Sequence, residues 1–254
     1  MQNRRTFLTL SAAGLLGSTM ITKTASAKPS SQGSDAGAML FIANDVKPGR
    51  EKDFNYWYQT QHLDERLGIP GFLSARRYKA VKGEADREYL ATYETESSDT
   101  LKAHQYMKRL NDPTVLTKEN MQKSFARMNR SLLDIKWTDG KGVGTIMDLI
   151  VIEPDKDTLQ KLKANAPELW QKTATPAFEK ATYMERAYAG DKQTISAETK
   201  LRGGPDEEFD GVLLLEWADV PSWPAPKIID KLKALGIKVN EQAGGRYRLM
   251  GIRG

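Results

Sequence analysis

Apolar positions along this chain switch between strand-like and helix-like spacing, and each switch marks an element. Met39 to Asn44 is a short apolar run that predicts a strand. Arg50 to Leu67 sets Phe54, Trp57, Tyr58 and Gln61 at helical spacing, and Pro70-Gly71 supplies the turn that ends the helix. Phe72 to Val81 and Glu88 to Glu94 read as two further strands. Helices are expected from about Asp99 to Leu110 and from Pro113 to Met128, and Ser131 to Trp137 closes the stretch as a strand. The order is β-α-β-β-α-β.

After the turn-rich loop Asp139-Gly140-Lys141-Gly142 the same order returns. Thr145 to Glu153 is a strongly apolar strand, Asp157 to Thr173 a helix interrupted by Pro167, and Ala177 to Tyr188 a strand. A polar excursion through Gly203-Gly204-Pro205-Asp206-Glu207-Glu208 leads to a strand at Val212 to Trp217, a helix at Pro226 to Leu235 and a last strand at Gly245 to Ile252. The halves align by element, with Tyr89-Leu-Ala-Thr-Tyr-Glu94 set against Val212-Leu-Leu-Leu-Glu-Trp217. A weak repeat of this length points to duplication of one supersecondary unit. The expected fold class is α+β, with two tandem ferredoxin-like units at 39–139 and 143–254.

The N-terminus changes the picture of where such a fold works. Arg4-Arg5-Thr6-Phe7-Leu8 precedes a mild apolar run from Leu10 to Ile21 and then Ala25-Ser26-Ala27, a small-residue cleavage pattern. Residues 1–27 resemble a twin-arginine signal peptide, which implies the twin-arginine export machinery as a partner and a periplasmic or secreted protein. A membrane anchor wants ~20 strongly apolar residues, more than this run offers, so no membrane is expected after cleavage. Residues 28–38 have no apolar periodicity and read as a disordered leader. Cleavage removes Arg4, Arg5 and Lys23 and no acid, so the 38 basic and 33 acidic residues become 35 and 33. A net charge of +2, spread without long runs, gives no case for nucleic acid. With no cysteine there are no disulfides and no thiolate chemistry, so stability rests on burial.

Candidate chemistry gathers in one stretch, Trp57-Tyr-Gln-Thr-Gln-His62 through Pro70-Gly71 to Ala75-Arg76-Arg77-Tyr78. Tyr58, His62 and Arg66 are spaced four apart and share one side of the helix. Period two on the following strand puts Arg76 and Tyr78 on one face and Leu73, Ala75 and Arg77 on the other, so that Arg76 and Tyr78 face a barrel interior if Leu73 and Ala75 pack on the helices. The sequence thus suggests a mostly aromatic pocket lined by Trp57, Tyr58, Tyr78 and Tyr93, with His62 and Arg76 as its polar groups, suited to a small organic ligand. His62 has a structural alternative as a helix-end residue whose charge favours the C-terminus. Trp57 is equally at home in the core, and Arg76 as a solvated strand charge.

The element order, with Phe54, Trp57-Tyr58, His62, Glu65-Arg66-Leu67, Pro70-Gly71-Phe72 and Ala75-Arg76-Arg77-Tyr78, resembles the EthD-like branch of the dimeric α+β barrel superfamily. The resemblance implies two ferredoxin-like sheets joined into one barrel with helices outside. Relatives often carry Pro two residues after the His, where this chain has Asp64, and the C-terminal half has no His, so only one half can carry such a site.

No Gly-x-Ser-x-Gly, His-Glu-x-x-His or phosphate-loop motif is present, and two histidines cannot make a three-histidine zinc site. The barrel superfamily includes haem peroxidases with a Gly-x-x-Asp-Gly motif, whose nearest string here is Lys136-Trp-Thr-Asp139-Gly140, without the first Gly. The expectation is no cofactor and no metal. The chain then reads as a cofactor-free enzyme of proton-transfer type, an isomerase, cyclase or lyase, with His62 as acid or base, Arg76 stabilising an oxyanion and Tyr58 or Tyr78 orienting the substrate. The alternative is a non-catalytic ligand-binding or accessory protein of the periplasm, with a haem-dependent barrel enzyme behind both.

Overall fold

The computed structural model describes residues 36–171, 178–187, 196–203, 205–220 and 225–254. Residues 1–27, expected to be the export peptide, and 28–35 of the expected leader lie outside the described residues. Eight strands carry the fold: β1 (Ala38–Val46), β2 (Phe72–Ala85), β3 (Tyr89–Thr95), β4 (Phe125–Gly140), β5 (Ile146–Glu153), β6 (Phe178–Arg186), β7 (Gly211–Trp217) and β8 (Lys238–Arg253). They close into an antiparallel barrel in the order β1-β3-β2-β8-β5-β7-β6-β4. Each half contributes four neighbouring strands, and the halves meet at two seams, β2 with β8 and β4 with β6. The α+β fold of two joined ferredoxin-like units is what the periodicity suggested.

Both faces of the sheet are covered, which explains the apolar character of the strands. β1 reads Ala-Met-Leu-Phe-Ile-Ala-Asn-Asp-Val with all but Asp45 buried, the pattern of a strand packed on two sides. Met39, Phe41 and Ala43 point into the barrel with Tyr78, Leu90, Met147, Leu149, Val212 and Tyr247. Leu40 and Ile42 point outward into a layer shared with Phe54, Trp57, Tyr58, Tyr93 and Leu110. The C-terminal half has the matching outer layer, built on Ile146, Ile150, Leu162, Trp170, Leu213, Trp217 and Ile228.

The helices of the first half are α1 (Glu51–Trp57), which continues through a π-helical turn at Tyr58–His62 into α2 (Leu63–Leu67), then α3 (His104–Asn111) and α4 (Val115–Lys123). The second half has α5 (Thr158–Ala166) with its own π-turn at Pro167–Gln171, then α6 (Ala197–Arg202) and α7 (Ala225–Ala234). Gly71 sits at φ 91°, and a Cβ there would come within 2.8 Å of the Thr100 side chain, so the turn after α2 requires glycine.

Three readings are corrected. The helix expected to reach Met128 stops at Lys123, because the edge of β1 needs a partner and β4 takes it from Phe125 onward. The polar excursion before β7 contains α6, whose six residues are too short to announce a period. The repeat alignment slips by one. In both halves a bulge follows the Phe that opens the second strand, pairing Ser74 with Glu94 and Lys180 with Glu216, so Glu94 corresponds to Glu216 and not to Trp217. A one-residue slip moves every side chain to the other face.

Candidate functional site

A cavity of about 370 Å³ lies between the outer face of the first sheet and the helices over it, lined by Tyr58, His62, Arg66 and Tyr93 among apolar neighbours such as Leu40, Ile42 and Met107. The wide π-turn brings Tyr58 and His62 onto this wall together. Its far side is supplied by the other half: Glu198 of α6 accepts from Arg66 Nη2 at 2.7 and 2.8 Å, both residues being buried. The site is therefore complete only with both halves in place.

His62 is 4 % exposed and lies against Trp57 at 4.2 Å and Tyr58 at 4.9 Å between ring centroids. Burial, with the Arg66 charge beside it, pulls its pKa down to about 4, against the opposing influence of Glu65. The imidazole is neutral at neutral pH and is a weaker base than its ordinary value suggests. Its Nδ1 stands 3.6 Å from Glu65 Oε2, beyond hydrogen-bond length but close enough to favour the proton on that nitrogen, which leaves Nε2 as the basic atom. Glu65 is itself fixed: Gln61 Nε2 and Thr114 Oγ1 donate to Oε1 at 2.6 and 2.8 Å, and Thr117 Oγ1 donates to Oε2 at 3.1 Å. Burial raises this carboxyl, yet nearby His62 and these donors outweigh burial and hold it at about 2.

Besides His62 Nδ1 and Arg186 Nε, two buried donors of the lining residues lack a well-formed hydrogen bond. Arg66 spends Nη2 on Glu198 while Nη1 makes no hydrogen bond, and Tyr93 Oη has only the Tyr58 hydroxyl near it, outside good hydrogen-bond geometry. Burial pushes the Tyr93 phenol well above its ordinary pKa, so it holds its proton. Arg130 is a second cation of the wall, its Nη2 donating to Tyr106 Oη at 2.8 Å.

The structure divides the residues that the sequence placed in one pocket. Tyr58, His62 and Tyr93 line the cavity, and Trp57 stands behind them as a fully buried buttress whose Nε1 donates to Thr117 Oγ1 at 3.0 Å. Arg76 and Tyr78 lie on the opposite face of β2, inside the barrel. Arg76 Nη1 donates to both Glu216 oxygens at 3.2 Å, its Nη2 is 3.5 Å from Glu94, and Lys180 Nζ is 2.9 Å from Glu216. Tyr78 is fully buried among the barrel's apolar side chains. The reason is sheet sidedness: Tyr93 pairs with Ala75, so the helix-facing residue of the adjacent pair is Arg77. Arg77 lies 4.3 Å from the Tyr58 ring centroid, and its Nη2 donates to Asn55 Oδ1 at 2.8 Å. Arg76 does not reach the cavity, and the guanidinium on its wall nearest His62 in the chain is Arg66. Glu198 could not be found from spacing, because it reaches the site from 132 residues away in the chain.

His104 is exposed on α3. Among the described residues no group of three or more His, Asp or Glu side chains is gathered as a metal site would need.

No family model and no curated protein matches this chain. Solved structures do match. An anthrone oxidase-like protein superposes with a TM-score of 0.53 at 11% identity, over 87% of this chain and 94% of that one. A candidate monooxygenase from Fusobacterium nucleatum gives 0.51 at 10%, over 86% and 94%. A candidate chlorite dismutase gives 0.49 at 12%, over 85% and 96%. At these identities the first two likenesses speak for the fold alone: this is a ferredoxin-like dimeric α+β barrel, with both units in one chain.

Proposed function

We propose that this protein holds a small organic molecule, aromatic or polyketide-like, in the cavity of its N-terminal half and acts on it by proton transfer without a cofactor, as an EthD-like isomerase, cyclase or lyase. What carries the reading is one juxtaposition: a neutral His62, the Arg66 guanidinium and the Tyr93 hydroxyl line one space of about 370 Å³ whose wall is part aromatic and aliphatic, part charged. In that arrangement His62 Nε2 takes a proton from a carbon acid and returns it to another atom of the same molecule. Arg66 Nη1 and Tyr93 Oη stabilise the oxygen on which charge develops, and the aromatic wall orients the ring. Untargeted metabolite pull-down tests this directly. The purified protein is expected to enrich an aromatic compound that the cavity-filling variant Met107→Trp does not. Capture of the same compounds by both would overturn the reading, and a captured compound that is released unchanged would leave a non-catalytic holding protein.

We further propose that the protein works outside the cytoplasm, exported by the twin-arginine machinery. Arg4-Arg5 and Ala25-Ser26-Ala27 support this. Replacing both arginines by lysine should strand the precursor in the cytoplasm, and exported protein should begin at Lys28. Continued export of the double variant would sink the proposal.

A further inference from the structure

We infer that the molecule held in this cavity is an organic anion, a flat apolar body bearing one ionised oxygen, carboxylate or enolate, seated between Arg66 Nη1 and Tyr93 Oη. The inference rests on the cavity being a ligand site and adds to it the charge of the ligand. Arg66 Nη1 is a buried donor without a protein acceptor, and Tyr93 Oη has only the neighbouring Tyr58 hydroxyl, outside good hydrogen-bond geometry, on side chains 3 % and 1 % exposed. A buried donor left unpaired is costly, and a guanidinium N–H is more costly than a neutral one. An oxygen acceptor resolves both at once, and a charged oxygen does so most strongly because hydrogen bonds to ionised acceptors are the strong ones.

Five basic side chains line the cavity (Arg66, Lys102, Arg130, Arg186 and Arg202) against the acids Glu198 and Glu208. Carboxylates outside the lining answer others: Arg186 pairs with Asp210 at 2.8 Å, Arg202 Nε donates to Asp206 at 3.1 Å and Lys102 Nζ is 3.8 Å from Asp99, so what stays open is the Arg66 Nη1 donor and not an excess of charge. Glu198 turns both its oxygens to Arg66 Nη2 and so does not occupy Nη1. An anion seated beside Arg66 would also raise the His62 imidazole from its depressed value toward neutrality, the direction a general base needs.

The test uses an isosteric pair, 2-naphthoate and 2-naphthamide, with affinities measured by calorimetry on the purified protein. Naphthoate is expected to bind about tenfold or more tightly than naphthamide. Tyr93→Phe, which keeps the ring and removes only the hydroxyl, should erase a comparable factor for naphthoate and much less for the amide. Equal binding of both probes, abolished in Met107→Trp, would overturn the anion and leave the ligand cavity standing. Naphthoate affinity unchanged in Tyr93→Phe would overturn the seat between the two donors. Binding of neither probe, or binding indifferent to Met107→Trp, would remove the cavity reading and this inference with it. Leu110→Phe serves in place of Met107→Trp should that variant not fold.

Discussion

The two halves of the barrel are one unit used twice, and the layer between helix and sheet is finished differently in each. Both end their first helix in a π-turn, at Tyr58–His62 and at Pro167–Gln171. A π-turn in this fold is thus shared architecture and does not by itself mark function. In the C-terminal half the layer is packed with large side chains: Trp170 stands against Trp137 and Phe178, and Phe178 against Trp217. By strand register Trp217 stands where the first half has Thr95, and Leu215 where it has Tyr93.

Polar satisfaction also differs between the two helix–sheet layers. In the packed layer Trp217 Nε1 donates to Asp148 at 3.0 Å and Trp170 Nε1 to Asp139 at 3.1 Å. Among the described residues, no buried side-chain atom without a partner belongs to the core residues of that layer, whereas in the first-half layer Tyr93 Oη lacks a well-formed hydrogen bond. A scaffold closes its hydrogen bonds, and a site keeps some open for a guest. A duplicated chain can therefore finish its two layers differently, an option closed to a homodimer of identical units.

The largest effect expected from this division is on turnover. His62→Ala should lower the rate on the captured substrate by ~10²–10⁴, the usual cost of a lost acid-base group, while His104→Ala leaves it near the wild-type value. The two residues share chemistry and differ in setting, so equal losses would make the hollow half as structural as the packed one. Steady-state kinetics with folding checked by circular dichroism decides this.

A second contrast concerns stability. Trp170→Ala in the packed layer should cost roughly 3–5 kcal/mol, while Leu110→Ala on the cavity wall should sit at the lower end of the ~2–5 kcal/mol range for such truncations, because Leu110 already borders open space. Urea unfolding gives both numbers. A Leu110 cost equal to that of Trp170 would mean that the first half is packed as tightly as the second.

How much of this could be read from the chain follows from how local each determinant is. Strand and helix identities were legible in short windows, since Phe54, Trp57 and Tyr58 or Leu213 and Leu215 announce their period within a few residues. The membership of Tyr58, His62 and Tyr93 in one site was also legible, because their helix and strand are joined by short connections. The sidedness of β2 was not. Alternation shows that Arg76 and Arg77 face opposite ways but not which of them meets the helices, and a barrel with both faces buried gives no polar face to break the tie. Glu198 and α6 were invisible because a short polar helix carries no pattern and its partner Arg66 is distant in sequence.

The smallest expected effect is the pH dependence that the buried histidine of the first half contributes. Unfolded, the His62 imidazole titrates near its ordinary value of 6.5, whereas burial and the Arg66 charge hold it to about 4 in the folded protein. Between those two values the unfolded chain binds a proton that the folded chain refuses, so stability falls as pH drops through this window and is fully present above it. The loss approaches about 3 kcal/mol at its lower end if the whole shift is realised. Glu65, held at about 2, adds its own loss in a lower window, from its ordinary value of 4.5 downward. Urea midpoints at pH 7, 6, 5 and 4 for the wild type and for His62→Gln separate the two groups, because the substitution removes the upper window and leaves other carboxylates in place. The wild type should lose markedly more between pH 6.5 and 4 than the variant. Parallel curves would mean that His62 reaches solvent in the folded state, and the comparison between a packed half and a half with a desolvated site would lose its electrostatic ground.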